Sequence, residues 1–327
     1  WPGWTWGRYQ HRKLYSEHRF LADMLPVTST FTGHLATAEA IYDGPANNLV
    51  GIQTFSGGKD SASPQHAVLL GMSGAGKSVT VCDLLSQTEG YFGYTVIIEE
   101  GLSYGIYTAP IIIHPDGDLT INYLDTKGLP LTPDHLSAAT ALVARMIGTS
   151  TQEDKQMLRQ AQIAKYLNLL YEDSFQDWQK KRHDQLLNIA RHAMALQKFR
   201  AEKMPPGATT LESFADFRDW KAAHVDEAQS YMQQFAEADT LRFLKDPKTS
   251  KEVRNLAFAH FTPDEFPTHR MLQELMMLDP IGAERDQIME IATLILPWCR
   301  DGNYGCLFDG TSNLSLTGRI AHFELGY

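Results

Sequence analysis

One stretch limits what this chain can fold into more than any other: Gly71-Met72-Ser73-Gly74-Ala75-Gly76-Lys77-Ser78, followed by Val79. It fits the pattern G-x-x-x-x-G-K-[ST], whose requirements are physical. Glycines let the backbone turn tightly and approach a phosphate without Cβ clashes. Amides at the start of the next helix then point at the anion, and the helix dipole adds to the attraction. The flanks agree with that scheme. Residues 66–70, His-Ala-Val-Leu-Leu, form an apolar run suited to a buried strand. Residues 79–85 continue without Gly or Pro, as a helix does. Lys77 is expected to reach the β- and γ-phosphates of a nucleotide, and the Ser78 hydroxyl to join the shell of a Mg²⁺ ion. The loop from Gly71 to Val79 is the expected contact with ATP. The plain alternative, a chance Gly-rich turn, does not account for Lys77 and Ser78 falling together behind a strand-like run.

At 327 residues the chain has room for two packed units or for one core with a large insertion. Its formal charge is −10 and it has no long basic run. That argues against a surface that holds nucleic acid by neutralising phosphates, although a local basic groove is compatible with an acidic average. No apolar run approaches the roughly 20 residues of a membrane-spanning helix, and no signal-peptide pattern opens the sequence. Cys82, Cys299 and Cys306 are too few and too scattered for a disulfide framework or a zinc site. A reducing, cytoplasmic setting is the expectation, with any membrane attachment coming through partners. The opening Trp1-Pro2-Gly3-Trp4-Thr5-Trp6, without an initiator Met, reads as the interior of a longer protein.

In chain order, a helix is expected over 8–24, then short strands and turns over 31–55, and a solvated loop over 56–63. After the phosphate loop, the β-branched run 95–98 ends in Glu99 and Glu100, which reads as a buried parallel strand with acids at its C-terminal edge. Ligands bind at that edge in open α/β sheets. Glu99 or Glu100 could therefore orient a water, assist a metal ion or contact a neighbouring subunit; a solvated strand end is the alternative. Further strands are expected at 111–114 and 119–123, with a hairpin turn at Asp116-Gly117-Asp118 between them.

From Thr132-Pro133 onward the pattern turns helical. Thr132 is a plausible N-cap with Pro133 at the first helical position. Met157, Ala161, Ala164, Leu167 and Leu170 recur at helical spacing, as do Leu186, Ile189, Ala193 and Leu196. Thr209-Thr210 caps another helix. Breaks at Asp246-Pro247, Thr262-Pro263 and Phe266-Pro267-Thr268 each precede a helix-like segment. The aromatics Trp178, Phe199, Phe214, Phe217 and Trp220 read as core rather than stacking platforms. Residues 302–310 then suggest a turn and short strand, and 319–325 a strand.

Taken in that order, the motifs resemble the type IV secretion and conjugative-transfer ATPases, the VirB-four, TrbE and TraC group. The resemblance rests on the loop, on Glu100-Gly101-Leu102-Ser103 and on Asn122-Tyr123-Leu124-Asp125. It continues through Pro267-Thr268, the segment Gly302 to Gly310 and His322-Phe323-Glu324-Leu325. Two positions depart from the family: Tyr123 stands where Pro is common, and Glu100 where Asp is usual. The resemblance implies an α/β fold, a RecA-like P-loop NTPase with a parallel-sheet core and a large all-α insertion subdomain. Residues 1–60 would lead into the core, 61–130 would begin it, 131–300 would form the insertion, and 301–327 would return to it. It further implies an ATP-hydrolysing motor that uses Mg²⁺ and powers pilus or channel assembly or substrate transfer. Such a motor forms a homo-oligomeric ring, in some cases a hexamer. Its partners are other secretion-apparatus proteins at the cytoplasmic face of the inner membrane. Lys77, Glu100 and Glu99 are then the catalytic candidates. The family's Walker B strand, with its Asp-Glu pair, is expected beyond Tyr327 and would supply the stronger candidate for orienting water.

Three rival readings compete. A hexameric DNA pump would need a basic pore, testable by salt-dependent binding of single-stranded DNA. A small-molecule kinase would need an arginine-rich lid, and Arg145, Arg159 and Arg182 do not cluster in the sequence. A nucleotide-gated scaffold would bind ATP without turnover. Among the histidines there is no H-E-x-x-H, and His183 and His192 fall on opposite sides of a helix, which argues against a shared metal. Cys299 and Cys306 read as buried hydrophobes.

Overall fold

The computed structural model describes Glu17 and residues 32–44, 48–54, 66–105, 108–114, 117–150, 153–278, 284–316 and 318–326. The expected helix over 8–24, the tryptophans at 1, 4 and 6, the loop over 56–63, Asp116 and Tyr327 lie outside the described residues. The chain divides into two compact units, Trp1–Pro110 with Gly318–His322, and Ile111–Thr317 with Phe323–Tyr327.

The first unit opens on an antiparallel hairpin, β1 (Ala40–Asp43) and β2 (Leu49–Ile52), in the register Ala40↔Ile52 and Asp43↔Leu49. Gly33 bridges to Gly51 with φ +60°, and a Cβ there would lie 2.1 Å from the Gly51 carbonyl oxygen. Only glycine fits that approach. Helix α1 (Lys77–Thr88) is tied to the hairpin by Gln87, whose Oε1 accepts the Ile41 amide at 2.9 Å. Burial and the neighbouring Asp83 carboxylate push the Tyr42 phenol up to about 12.

Strand β3 (Thr95–Glu99) follows, beside the first half of β5 (Ile320–Glu324). The expected strand at 95–98 is present, but it is half-buried rather than buried: Ile97 faces inward, while Val96 is 53% and Ile98 66% exposed. Residues 66–70 depart further from expectation. They are extended and exposed, with Val68 at 82% and Leu70 at 86%, and they join no ladder among the described residues. Apolar composition suits a segment to a central strand, but only neighbours on both sides make it one.

In the second unit, β4 (Ile111–Ile112) runs parallel to the second half of β5, pairing Ile111 with Phe323 and Ile112 with Glu324. The expected strand at 119–123 is absent, because side chains hold that segment instead. Thr120 donates its amide to Asn313 Oδ1 and its hydroxyl to the Cys306 carbonyl, and the Ile121 amide donates to the Leu307 carbonyl. Asn122 takes the Leu124 amide on Oδ1 and donates Nδ2 to the Pro267 carbonyl. Such local side-chain bonds compete with sheet pairing.

The rest of this unit is helical. Helix α2 (Pro133–Met146) starts where Thr132 accepts the His135 amide with Pro133 just inside. Helices α3 (Glu153–Lys181) and α4 (His183–Lys203) follow. The buried stripe of α3 is Ile163, Tyr166, Leu167, Leu170, Tyr171, Phe175 and Trp178. Met157 and Ala161, expected on it, are exposed, since the larger tyrosines and tryptophan define a stripe rotated from theirs. The stripe of α4 is as expected, with Leu186, Ile189 and Ala193 buried. Helix α5 (Thr210–Ala223) carries a full capping box between Thr209 and Glu212. Helices α6 (Val225–Gln233), α7 (Glu237–Lys245) and α8 (Pro247–Ala257) follow, the last capped by Asp246. Thr262-Pro263 starts a turn rather than a helix: the Thr262 amide donates to Glu265, which Arg182 pins at 2.8 Å. Around it Phe258, Phe261 and Phe266 pack with Tyr171 and Trp178, the Phe258 and Phe261 rings 4.6 Å apart.

Helices α9 (His269–Leu278) and α10 (Arg285–Ile295) complete the bundle. At 302–310 the expected short strand is instead a helical turn, α11 (Gly305–Phe308), beside the stacked Trp298 and Tyr304 rings. Asp309 closes the turn, taking the Arg270 amide at 2.9 Å and the Arg300 amide at 2.8 Å.

Two buried histidines give this unit a pH signature. Burial, with Lys221 and His260 adjacent, lowers His192 to about 3. Burial also lowers His269, bonded to the Tyr123 hydroxyl at 2.7 Å, to about 4, although Asp309 opposes the shift. A base with a depressed folded pKa binds its proton more readily when unfolded, so stability rises with pH across the window between the two values. Their contribution is therefore complete above about pH 6.5 and is lost as pH falls. Between pH 6.5 and pH 5 each histidine should cost about 2 kcal/mol. Urea unfolding of the wild type and of His192→Gln at both pH values should show the smaller pH dependence in the variant.

Candidate nucleotide site

The residues from Gly71 to Val79 lie together in the first unit as a turn running directly into α1. Gly74 has φ +78° and Gly76 φ +84°, and the Ala75 amide closes the turn on the Met72 carbonyl at 3.2 Å. A Cβ at Gly74 or Gly76 would meet nothing within 4 Å. It is thus the left-handed backbone, not crowding, that calls for glycine at both. Gly76 is the N-cap of α1, no side chain caps that end, and its first turn holds no acid. The amides there and the positive end of the helix dipole are not neutralised by the helix's own residues.

Lys77 folds back over the turn. Its ammonium donates to the Gly71 carbonyl at 3.0 Å and to the Met72 carbonyl at 2.8 Å. A Cβ at Gly71 would lie 3.2 Å from Lys77 Cγ, so the lysine chain packs closely over that glycine. Met72 and Val79 are open to solvent, at 84% and 72%. The arrangement suits an anion: a cation, a set of amides and an uncapped helix start face one small concave stretch of backbone.

Glu99 and Glu100 divide. Glu100 is exposed at the bend after β3 and forms no hydrogen bond or ion pair among the described residues. Glu99 is fully engaged. Its Oε2 accepts the Ser103 amide at 2.8 Å, and its Oε1 accepts the Tyr104 amide at 2.9 Å and meets His322 Nε2 at 2.7 Å. The other ring nitrogen of His322 faces the Thr108 carbonyl at 3.1 Å. A carbonyl can only accept, so the ring's contact with Thr108 orients His322 with its other nitrogen on the Glu99 carboxylate. The pair is closed to water, with side chains 7% and 0% exposed. It holds a turn in which Leu102 sits at φ +56°, in the left-handed region that a branched residue enters at a cost of about 1 kcal/mol or more.

Tyr104 belongs to this turn, its amide ending on Glu99. Its ring meets the His322 ring edge-on, with centroids 6.4 Å apart. Burial, then the Cys82 and Glu99 charges, raise its pKa. Reading the sequence for chemistry did not single out Tyr104 or His322 as site residues. The signal available for His322 was a titratable ring in the middle of the strand Ile-Ala-His-Phe-Glu.

No family model matches the chain, and no curated protein matches it. Among solved structures it is similar to VirB4 of Thermoanaerobacter pseudethanolicus, with a TM-score of 0.47 and 14% identity. The match covers 88% of this chain and 56% of that one, so the chain spans little more than half of its neighbour's length. At this level the likeness decides neither activity nor partners.

Removing one member of a buried pair leaves the other's charge uncompensated, at about 3 kcal/mol or more. His322→Ala should therefore lower the urea midpoint strongly, whereas Glu100→Gln, at an exposed and unbonded site, should leave it within about 0.5 kcal/mol of wild type.

Proposed function

We propose that this chain binds a nucleoside triphosphate with Mg²⁺ at Gly71–Val79 and hydrolyses it as a subunit of a type IV secretion or conjugative-transfer motor. One observation carries the reading. The left-handed glycines at 74 and 76 turn the backbone into an uncapped helix start, with the Lys77 ammonium folded over the turn. The motor assignment draws its support from the order of motifs, from Glu100-Gly101-Leu102-Ser103 to Gly302–Gly310.

Phosphoryl transfer asks a protein for positioning and charge neutralisation rather than covalent help. Lys77 and the amides from Gly74 to Ser78 hold the β- and γ-phosphates. Ser78, with its hydroxyl at the start of α1, is the metal-side ligand, and Mg²⁺ when bound neutralises the phosphate oxygens it touches. Glu100, exposed and unbonded, is the carboxylate of the two that is open to a water or to a neighbouring subunit. Glu99, with three donors on its two oxygens, serves the turn instead. Ring assembly, secretion-apparatus partners at the inner membrane and the division into an NTPase core (61–130, 301–327) and an all-α insertion (131–300) belong to the same proposal. No helix among the described residues is long and apolar enough to cross a membrane.

Lys77→Ala should abolish binding of a fluorescent ATP analogue and reduce phosphate release to background, with the circular dichroism spectrum and urea midpoint unchanged. A variant that hydrolyses ATP at the wild-type rate would remove the basis of the assignment.

A further inference from the structure

We propose that the helical unit binds a free amino acid with an apolar side chain, in the cleft between the chain entering α2 and the helices α4, α5 and α8. The inference is independent of the nucleotide reading, since every residue it uses belongs to the second unit.

The cleft has a volume of about 160 Å³. Its walls are mostly apolar, with Leu131 and Pro133 from the chain entering α2, Ala193 and Leu196 from α4, and Leu256 from α8. Leu131, Ala193 and Leu256 are buried members of the main core, so the space opens directly onto it. Hydrogen bonds tie the walls to one another. The Leu131 amide donates to the Asn255 carbonyl at 2.9 Å, Gln197 donates Nε2 to Glu252, and Arg200 donates Nη2 to the Ala208 carbonyl. Space against a core is costly to leave unfilled, because the atoms that line it forfeit packing contacts. A cavity of about this size accepts a benzene ring. The branched or aromatic side chain of an apolar amino acid matches it.

The rim decides what that apolar group carries. Arg200 on α4 and Glu252 on α8 both stand there, and both are exposed. Arg200 gives one N–H to Ala208, and Glu252 takes Gln197 on one oxygen. Among the described residues neither forms an ion pair, with the other or with a third group. One mouth thus presents an unpaired cation and an unpaired anion above an apolar floor. A simple acid would meet the Glu252 charge, and a simple amine the Arg200 charge. A zwitterion answers both: its carboxylate accepts from the guanidinium fork, and its ammonium donates to the Glu252 oxygen that Gln197 leaves open. Its side chain then enters the cleft, where a polar one would be left without partners.

The test is methyl NMR of the whole chain, labelled at its leucine methyls and titrated with three unlabelled probes. These are L-leucine, isocaproate (leucine without its ammonium) and isopentylamine (leucine without its carboxylate). Leucine should shift the Leu196 and Leu256 methyls saturably. Each fragment should bind about three- to tenfold more weakly, the worth of one net hydrogen bond. Arg200→Gln and Glu252→Gln alter exposed side chains and leave the fold intact. Arg200→Gln should erase the advantage of leucine over the amine and keep its advantage over the acid; Glu252→Gln should do the reverse. If no probe shifts the two methyls saturably, the cleft is not a binding site. If leucine binds no better than either fragment, or keeps both advantages in both variants, recognition by Arg200 and Glu252 is overturned. Binding of a nucleotide at Gly71–Val79 is untouched by any of these results.

Discussion

A side-chain oxygen that accepts backbone amides can fix a chain reversal that the backbone would not choose, and this structure depends on that interaction throughout. Glu99 takes two successive amides after β3. Asp309 takes amides from Arg270 and Arg300, thirty residues apart in sequence, and so joins the start of α9 to the turn before α11. Asn122 and Asp125 do the same over shorter spans, with Lys127 held at φ +53° as a result. A carboxylate on two N–H groups is a charge-assisted bond and among the stronger that a protein forms. Irregular segments gain from it the definition that helices draw from their own ladders.

The same principle explains which parts of the fold were legible. Capped helices were plain, because Thr132-Pro133, Thr209 through Glu212 and Asp246-Pro247 carry their start signals within a few residues. Segments whose state is decided far away in sequence were not. Residues 119–123 have strand composition, yet Asn313, Cys306 and Pro267 claim their polar groups. Residues 66–70 have strand composition too, and no partner among the described residues makes them one. On α3 the expected Leu167 and Leu170 are buried but Met157 and Ala161 are exposed, because Tyr166, Tyr171 and Trp178 bring more apolar area and area decides what is buried.

Of the candidate site, the loop was legible because its chemistry is local: glycines, lysine and serine stand at fixed offsets. The two acids after β3 were legible as a pair but not as unlike partners. What separates them is His322, more than two hundred residues downstream, which no spacing rule connects to Glu99. Tyr104 was hidden for a similar reason, since only the turn that Glu99 shapes brings its ring against His322.

The two carbonyls under Lys77 make the loop its own first ligand. An incoming anion does not add a contact to an idle ammonium; it outbids Gly71 and Met72 for protons already shared out. Substitution of that kind returns little for a weak or singly charged acceptor, whose gain barely exceeds what the carbonyls already supplied. It returns much for a densely charged one, because charged acceptors roughly double the strength of such a bond. A loop arranged in this way would favour polyphosphate over the ordinary anions of solution, because of the contacts that it must give up.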